Sequence, residues 1–458
     1  MGLSNTVKTI AYKIGMDKAV AYSSGSRIVG GIAGALSVFF ISTFLTGVEQ
    51  GFYFTFGSIL ALQTFFELGL TNILTQFVSH EASHLKLNEK NIYSGEDFYI
   101  SRLASLLGFC IKWYTVLSVL IFIILSVAGV IYFNQYGGSH PEVNWKIPWI
   151  LICIGTALKL FQAPFTSIFM GLGKVKEMSK ITFWQQVVIP CFTWIGFILG
   201  WSLYVVGLSY ILTVLMWIIY VWRSGLINIL FGLLSCPITV RISYLNEIFP
   251  YQWRIALSSA SGYFIFQLFN PVLFATEGAV VAGQMGMTLH ALSTIQSLSQ
   301  SWLNTKVPLY AKLIALKEYS KLDLIFTKTL KQMIAVCLIL LAAFFVFVWI
   351  LNVSQLQFSG SILSERFLSY LPMFLMMIPV LLQQFINSWA TYLRCHKKEP
   401  YLIPSICCAV LVCFSVFFFG GRYGLYGITF SYCLIMILLL PWWFVIYKTK
   451  KKEWHEDG

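Results

Sequence analysis

Residues 51–78 read GFYFTFGSILALQTFFELGLTNILTQFV, and the one charged side chain among them is Glu67. A helix needs about 20 apolar residues to cross the hydrocarbon core of a bilayer. The stretch is therefore long enough to span, and its carboxylate then lies at membrane depth. It runs straight into SHEASH, where His80, Glu81 and His84 match the H-E-x-x-H pattern of zinc peptidases. The buried acid points towards a carrier, and the histidine pair towards an enzyme.

Similar runs recur along the whole chain of 458 residues, which is 58% hydrophobic and 11% charged. Soluble domains carry roughly 25% charged residues, so the composition predicts an all-α polytopic membrane protein. Twelve spans are predicted: 19–45, 51–78, 113–133, 147–172, 181–199, 203–222, 255–274, 279–303, 334–351, 368–393, 403–419 and 423–447. The first run is too long for the apolar core of a cleaved signal peptide. Ahead of it, Leu3, Val7, Ile10 and Ile14 recur at helical spacing and predict a short surface helix.

The net charge of +13 is a topology signal rather than a nucleic-acid footprint, because alternate loops differ in charge. One side carries Lys86, Lys90, Arg102, Lys174, Lys176, Arg241, Lys306, Lys312, Lys317, Lys321, Lys397, Lys398 and the Lys450–Lys452 tail. The other has Lys146, Arg366 and Arg422 against Glu49, Glu142, Glu277 and Glu365. Cytoplasmic loops collect Lys and Arg, so both termini are expected in the cytoplasm. The ten cysteines are scattered without C-x-x-C spacing and read as small apolar packers.

The two halves resemble each other. A shift of 232 lays Gly51 on Gly283 and Asn72 on Asn304, and a shift of 221 lays Gln162 on Gln383 and Ser167 on Ser388. Long and short loops follow in the same order in both halves. Six spans per half make these parallel repeats, as in many transporters. The predicted organisation is an N-terminal six-helix bundle (1–222), a connector (223–254), a C-terminal six-helix bundle (255–447) and a basic tail (448–458).

Five ionisable residues fall inside or just within the spans: Arg27, Glu67, Lys159, Arg254 and His290. A charge at the bilayer centre costs on the order of 2.5–3.5 kcal/mol, so such groups are usually paired or functional. Arg27 lies on a small-residue face with Gly31 and Gly34, and Glu67 in a stripe with Thr64, Thr71 and Thr75. Their similar depth predicts an Arg27–Glu67 ion pair, either a lock between helices or part of a working site. Lys159 has Gln162 and Thr166 on its face and no acid placed beside it. His290 aligns with Ser293, Ser297 and Asn304, and Arg254 begins the seventh span, close enough to its end to snorkel. Lipid cannot satisfy polar stripes, so each faces protein or water. With Glu67 set aside as paired, the remaining groups are cationic and suit an anionic cargo.

SSGSRIVGGIAG, LTGVEQGFY, FFELGLTNIL and FMGLGKVKEMSK in the first half, with VAGQMGMTLHAL and RCHKKEPYLIP in the second, resemble the multidrug/oligosaccharidyl-lipid/polysaccharide (MOP) exporter superfamily. The likeness is to its repeat-unit flippase (Wzx-type) branch and covers essentially the whole chain. It implies two six-helix bundles arranged as a V around a central cavity. The implied cargo is an undecaprenyl-diphosphate-linked oligosaccharide, crossing the bacterial inner membrane by alternating access for O-antigen, lipopolysaccharide or capsule synthesis. By position the cavity cations would be Arg27 and Lys159, with Arg254 and His290 beside them. Thr64, Gln162, Thr166, Ser293, Ser297 and Asn304 would be the polar lining. The resemblance implies no cofactor and no covalent chemistry. An H+ or Na+ gradient would drive export, with Glu67 or His290 as the titrating group. Membrane lipids, a polysaccharide polymerase and chain-length proteins are the expected partners.

Three other classes compete. A drug or cation antiporter of the same superfamily would use a cavity acid, and Glu67 is the one deep acid. An intramembrane zinc peptidase needs a third ligand, and no predicted span contains Asp; HEASH then reads as a solvated helix end. A repeat-unit polymerase needs a large outer loop, whereas the longest here are 134–146 and 352–367.

Overall fold

The computed structural model describes residues 18–456 apart from 68, 88–92, 139, 359–360 and 397–399. The surface helix predicted around Leu3–Ile14 lies outside the described residues, as do Lys90, Lys397 and Lys398. Helix α1 (Lys18–Phe44) is followed by α2 (Gly47–Leu60), α3 (Gln63–Glu67) and α4 (Leu70–Ala82). A short antiparallel hairpin, β1 (Leu85–Leu87) with β2 (Tyr93–Gly95), leads to α5 (Asp97–Tyr136). Then come α6 (Lys146–Gly171), α7 (Val175–Ile198), α8 (Tyr204–Arg223) and α9 (Ile227–Leu234). After one π-helical turn (Tyr244–Ile248) the chain forms α10 (Phe249–Phe266), α11 (Phe269–Thr276), α12 (Ala279–Asn304), α13 (Val307–Ala315) and α14 (Tyr319–Ser354). A second small hairpin, β3 (Gln357–Phe358) with β4 (Ser361–Ile362), precedes α15 (Tyr370–Arg394) and α16 (Leu402–Glu456).

Eight of these helices are long and apolar enough to cross a membrane: α1, α5, α6, α7, α8, α14, α15 and α16. The last holds two predicted spans, joined across a bend at Gly424, where φ is 56° and ψ −137°. The Glu277 carboxylate accepts a hydrogen bond from the Leu425 amide there and fills the space a side chain on residue 424 would need. The second and seventh spans, expected as single helices, are interrupted, as α2–α3–α4 and α10–α11. Helix α12 is unbroken over 26 residues but polar. Together these helices account for the twelve predicted spans of an all-α, multi-pass membrane protein. Helix α5, at 40 residues, rises about 60 Å, roughly twice the hydrocarbon thickness. Its first turns therefore lie beyond the span predicted from residue 113. Large apolar side chains such as Val116, Ile131, Ile339 and Leu438 are left exposed, as lipid-facing surface requires.

The helices gather into two compact units. One comprises residues 1–33, 62–132 and 144–259; the other comprises 34–61, 133–143 and 260–458. Compaction thus crosses the boundary between the sequence repeats. In the first unit α6 packs on α4 and α8, and α7 on α8. The connector is pinned there by the Ser101 hydroxyl, which accepts from the Thr239 and Val240 amides, both at 2.8 Å.

In the second unit α12 packs on α2, α14 and α15, and α15 on α16. The α2–α12 contact is backbone to backbone. A methyl carbon on Gly51 would collide with the Ala279 carbonyl, and one on Gly283 would lie 2.8 Å from the Gly51 amide nitrogen. The two residues that the shift of 232 equates therefore touch. Gln50, fully buried, donates from its carboxamide to the Gly283 carbonyl (2.8 Å) and the Arg366 carbonyl (2.9 Å). The basic tail continues α16 and is tied to α14: Lys451 pairs with Asp323 at 2.7 Å, and His455 stacks on Tyr319 at 4.0 Å between ring centroids.

Candidate functional site

The interruption of the second span is a local consequence of its sequence. Gly69 sits at φ 65°, ψ 12°, a left-handed conformation that costs a non-glycine residue roughly 1–2 kcal/mol. Helix α3 ends at Glu67, and α4 begins three residues later. The Thr71 hydroxyl donates to the Glu67 carboxylate, which places the anion over the first turn of α4, where unpaired N–H groups favour negative charge.

Packing then fixes what stands beside Glu67. The Thr75 hydroxyl lies 3.3 Å from the Ser167 carbonyl. One turn further on, Gly171 leaves room for Val78, whose Cβ would lie 2.7 Å from an added methyl carbon. The two contacts advance together, so α4 and α6 run in parallel. Helix α3, which ends at Glu67, also packs on α6, which carries Lys159, close enough for the two charges to interact without a direct ion pair.

Lys159 occupies the middle of α6 and is exposed. Its ammonium lies 5.2 Å from the centroid of the Tyr210 ring on α8, within cation–π range. Small residues bring that ring close. A methyl carbon on Gly155, one turn before Lys159, would lie 2.5 Å from Tyr210 Cβ, and one on Gly207 would lie 2.6 Å from Leu151 Cβ. Small residues facing each other let membrane helices approach. On the same helix Gln162 Oε1 and Thr166 Oγ1 are buried with no hydrogen-bond partner, as is the Tyr114 hydroxyl on α5, which interacts electrostatically with Glu67. Buried polar atoms without partners are costly, so these are groups available to a ligand or to water.

The Arg27–Glu67 ion pair expected from their depth is not formed among the described residues. Arg27 is exposed, and the Glu67 carboxylate engages Thr71. Depth along an antiparallel neighbour was the wrong guide, because the helix that ends at Glu67 packs on α6. Thr64 is half-buried on α3, and Arg254 falls in the second turn of α10.

The remaining predicted residues lie in the second unit, on α12. His290 Nε2 is buried without a partner, while its ring hydrogen-bonds the Gly34 backbone and lies 6.0 Å from Phe54. Ser293 and Ser297 are exposed, and Asn304 is half-buried. The Ser293 hydroxyl donates to the His290 carbonyl at 2.9 Å, so it is spent on its own helix. Gly34, predicted to allow close helix approach, does so: a methyl there would lie 2.9 Å from Thr294 Oγ1.

The HEASH segment is a different kind of site. Glu81 is buried, and its carboxylate accepts from Arg102 Nε at 3.1 Å; the same guanidinium reaches Glu247 at 2.6 Å. His80 and His84 are exposed, and His84 stacks on Tyr99 at 4.1 Å. The acid that would serve as general base is thus held in an ion pair. Partial burial works against the Glu247 charge, but the Ser243 amide and Arg102 outweigh it and hold this carboxyl below its ordinary value.

Sequence reasoning missed Tyr210 and Tyr114. The paired glycines, Gly155 one turn before Lys159 and Gly207 three residues before Tyr210, were the available signal.

No protein-family profile matches the sequence, and no curated protein matches it. Solved structures do. An inward-facing multidrug-resistance MATE family transporter of the MOP superfamily aligns with a TM-score of 0.66 at 13% identity, over 96% of this chain and 99% of its own. Lipid II flippase MurJ, in an inward closed conformation, aligns with a TM-score of 0.53 at 12% identity, over 94% and 87%. A MOP superfamily transporter from Pyrococcus furiosus, described as having a binding pocket of reverse polarity, gives 0.52 at 15% identity, over 94% and 95%. At such identities the likeness establishes the fold: this chain has the fold of MOP-superfamily transporters.

Proposed function

We propose that this protein is a transporter of the MOP superfamily, and specifically a flippase for undecaprenyl-diphosphate-linked oligosaccharide in the bacterial inner membrane, with both termini cytoplasmic. The observation that carries the reading is Lys159, a cation exposed in the middle of a membrane helix. Hydrocarbon cannot solvate an ammonium group, so its accessible face requires water or a polar ligand. A diphosphate supplies the opposite charge, and the unpartnered Thr166 hydroxyl can donate a hydrogen bond to it. Arg27 and Arg254, in the same unit as Lys159, are further cations of the proposed path. The shared fold with a lipid II flippase supports a lipid-linked cargo. In cells lacking the native protein, Lys159→Ala should abolish surface polysaccharide at near-normal membrane abundance, and Lys159→Arg should keep part of it. Normal export by the alanine variant overturns the proposal.

A drug or cation antiporter is the second reading, favoured by Glu67 at the helix break and by the shared fold with MATE transporters. It requires that the protein raise resistance to a cationic dye, that Glu67→Gln remove this effect, and that Lys159→Ala leave it in place.

A further inference from the structure

Lys159 was expected to stand alone, and it does not. The Thr75–Ser167 and Val78–Gly171 contacts set α4 and α6 side by side in parallel, and α3, which ends at Glu67, packs on the same helix that carries Lys159. Glu67 is not free to swing away, because the Thr71 hydroxyl holds its carboxylate at the start of α4. The ammonium is also positioned from the other side by the Tyr210 ring, itself fixed by close packing at Gly155. A cation placed for an anionic cargo is thus partly compensated before the cargo arrives.

We infer that Glu67 is the internal counter-ion of Lys159 and sets the strength of diphosphate binding, the cargo replacing the carboxylate as the partner of the ammonium. This rests on the flippase reading. Physically, the pair spares the empty carrier an uncompensated charge at membrane depth, which is costly. It also weakens the hold on the diphosphate, since the ligand must displace an existing attraction. A carrier that must release its cargo on the far side gains from a moderated affinity. When the diphosphate takes over the ammonium, Glu67 keeps its Thr71 bond and the first turn of α4 as partners.

The consequence has an unusual sign: removing a charge from the site should tighten binding. Glu67→Gln is nearly isosteric, and its amide oxygen can still accept from Thr71, so the helix break survives. Full-length protein in lipid nanodiscs would be tested with radiolabelled undecaprenyl diphosphate as the probe. Glu67→Gln should bind at least about fivefold more tightly than the native protein, the lower end of common coupling strengths. Lys159→Met should bind more weakly, and the double variant should bind like Lys159→Met, because Glu67 acts only through the lysine. A thermal-unfolding double-mutant cycle on the same variants needs no cargo, and it should show the two sites coupled.

Equal or weaker binding by Glu67→Gln, or no coupling in the unfolding cycle, overturns the counter-ion assignment while leaving the flippase reading intact. Failure of the native protein to bind diphosphate, with the coupling intact, overturns the cargo and its displacement step and leaves the Glu67–Lys159 coupling standing. Loss of folded Glu67→Gln protein, with Glu67→Asp folded and matching native affinity, makes Glu67 a structural residue and also overturns the assignment.

Discussion

At the position the repeat equates with Glu67, α12 carries Ser299. The serine is fully buried, and its hydroxyl donates to the Ile295 carbonyl of its own helix at 2.8 Å. In place of Gly69 stands Ser301, and α12 continues unbroken to Asn304. Glu81, which ends the second span in an ion pair, is matched by Leu313, an apolar buried side chain. Yet the other ends of these two spans meet as equals, Gly51 against Gly283. The two spans are thus alike where the helices touch and unlike where one of them carries a charge. A broken helix exposes backbone polar groups, and transporters place such breaks where a ligand or ion can use them.

The symmetric contact is the more fragile part. Gly51→Val should cost at least about 3 kcal/mol, the upper end for overpacking, because the added carbons meet the Ala279 backbone, which cannot move aside as a side chain can. The check is the yield of folded protein after detergent extraction. A well-folded Gly51→Val protein would show that α2 and α12 separate at little cost.

Next in size is the ion pair that ends the second span and has no match in α12. Arg102→Ala leaves Glu81 buried without its partner and should destabilise by about 3 kcal/mol, as breaking a buried pair does. The same node should make the connector acid-sensitive. The folded-state Glu247 carboxyl is held below its ordinary value of 4.5, so its contribution is complete above that pH and is lost as the pH falls through the lower folded-state value. Limited proteolysis of residues 236–248 across that range would follow it, and a Glu247→Gln variant should lose the pH dependence.

The smallest effect tests the break itself. Gly69→Ala should cost about 1 kcal/mol for the left-handed conformation. If the Glu67–Thr71 contact alone sets the break, the thermal midpoint will not move.

Much of this was legible beforehand, for identifiable reasons. Span number and polarity follow from apolar length and the placement of Lys and Arg, which are one-dimensional quantities. The contact of Gly51 with Gly283 was foreshadowed by the shift that aligned them. The partner of Glu67 was not legible, because depth alone does not say which helix lies alongside. Depth offered Arg27 alone, whereas the packing of α4 on α6, through Thr75, Ser167 and Gly171, and of α3 on α6 brings the helix of Lys159 alongside. The first interruption of the second span was also invisible to hydropathy, since Ala61 and Leu62 at its turn are as apolar as their surroundings.

The sequence by itself therefore determined that this is a multi-pass helical membrane protein, with a few charges where lipid forbids them unless they have polar company. Its apolar runs are long enough, and its loop charges asymmetric enough, to need no tertiary information. Only the tertiary structure decided that Glu81 is committed to Arg102 rather than to a metal-site base, that Tyr210 lies beside Lys159, and that the helix ending at Glu67 packs on the helix of Lys159. The reason is physical. Burial is a property of a segment, but an electrostatic partner is a property of register between segments, and glycines at 155, 171 and 207 set that register by how closely they let the helices approach.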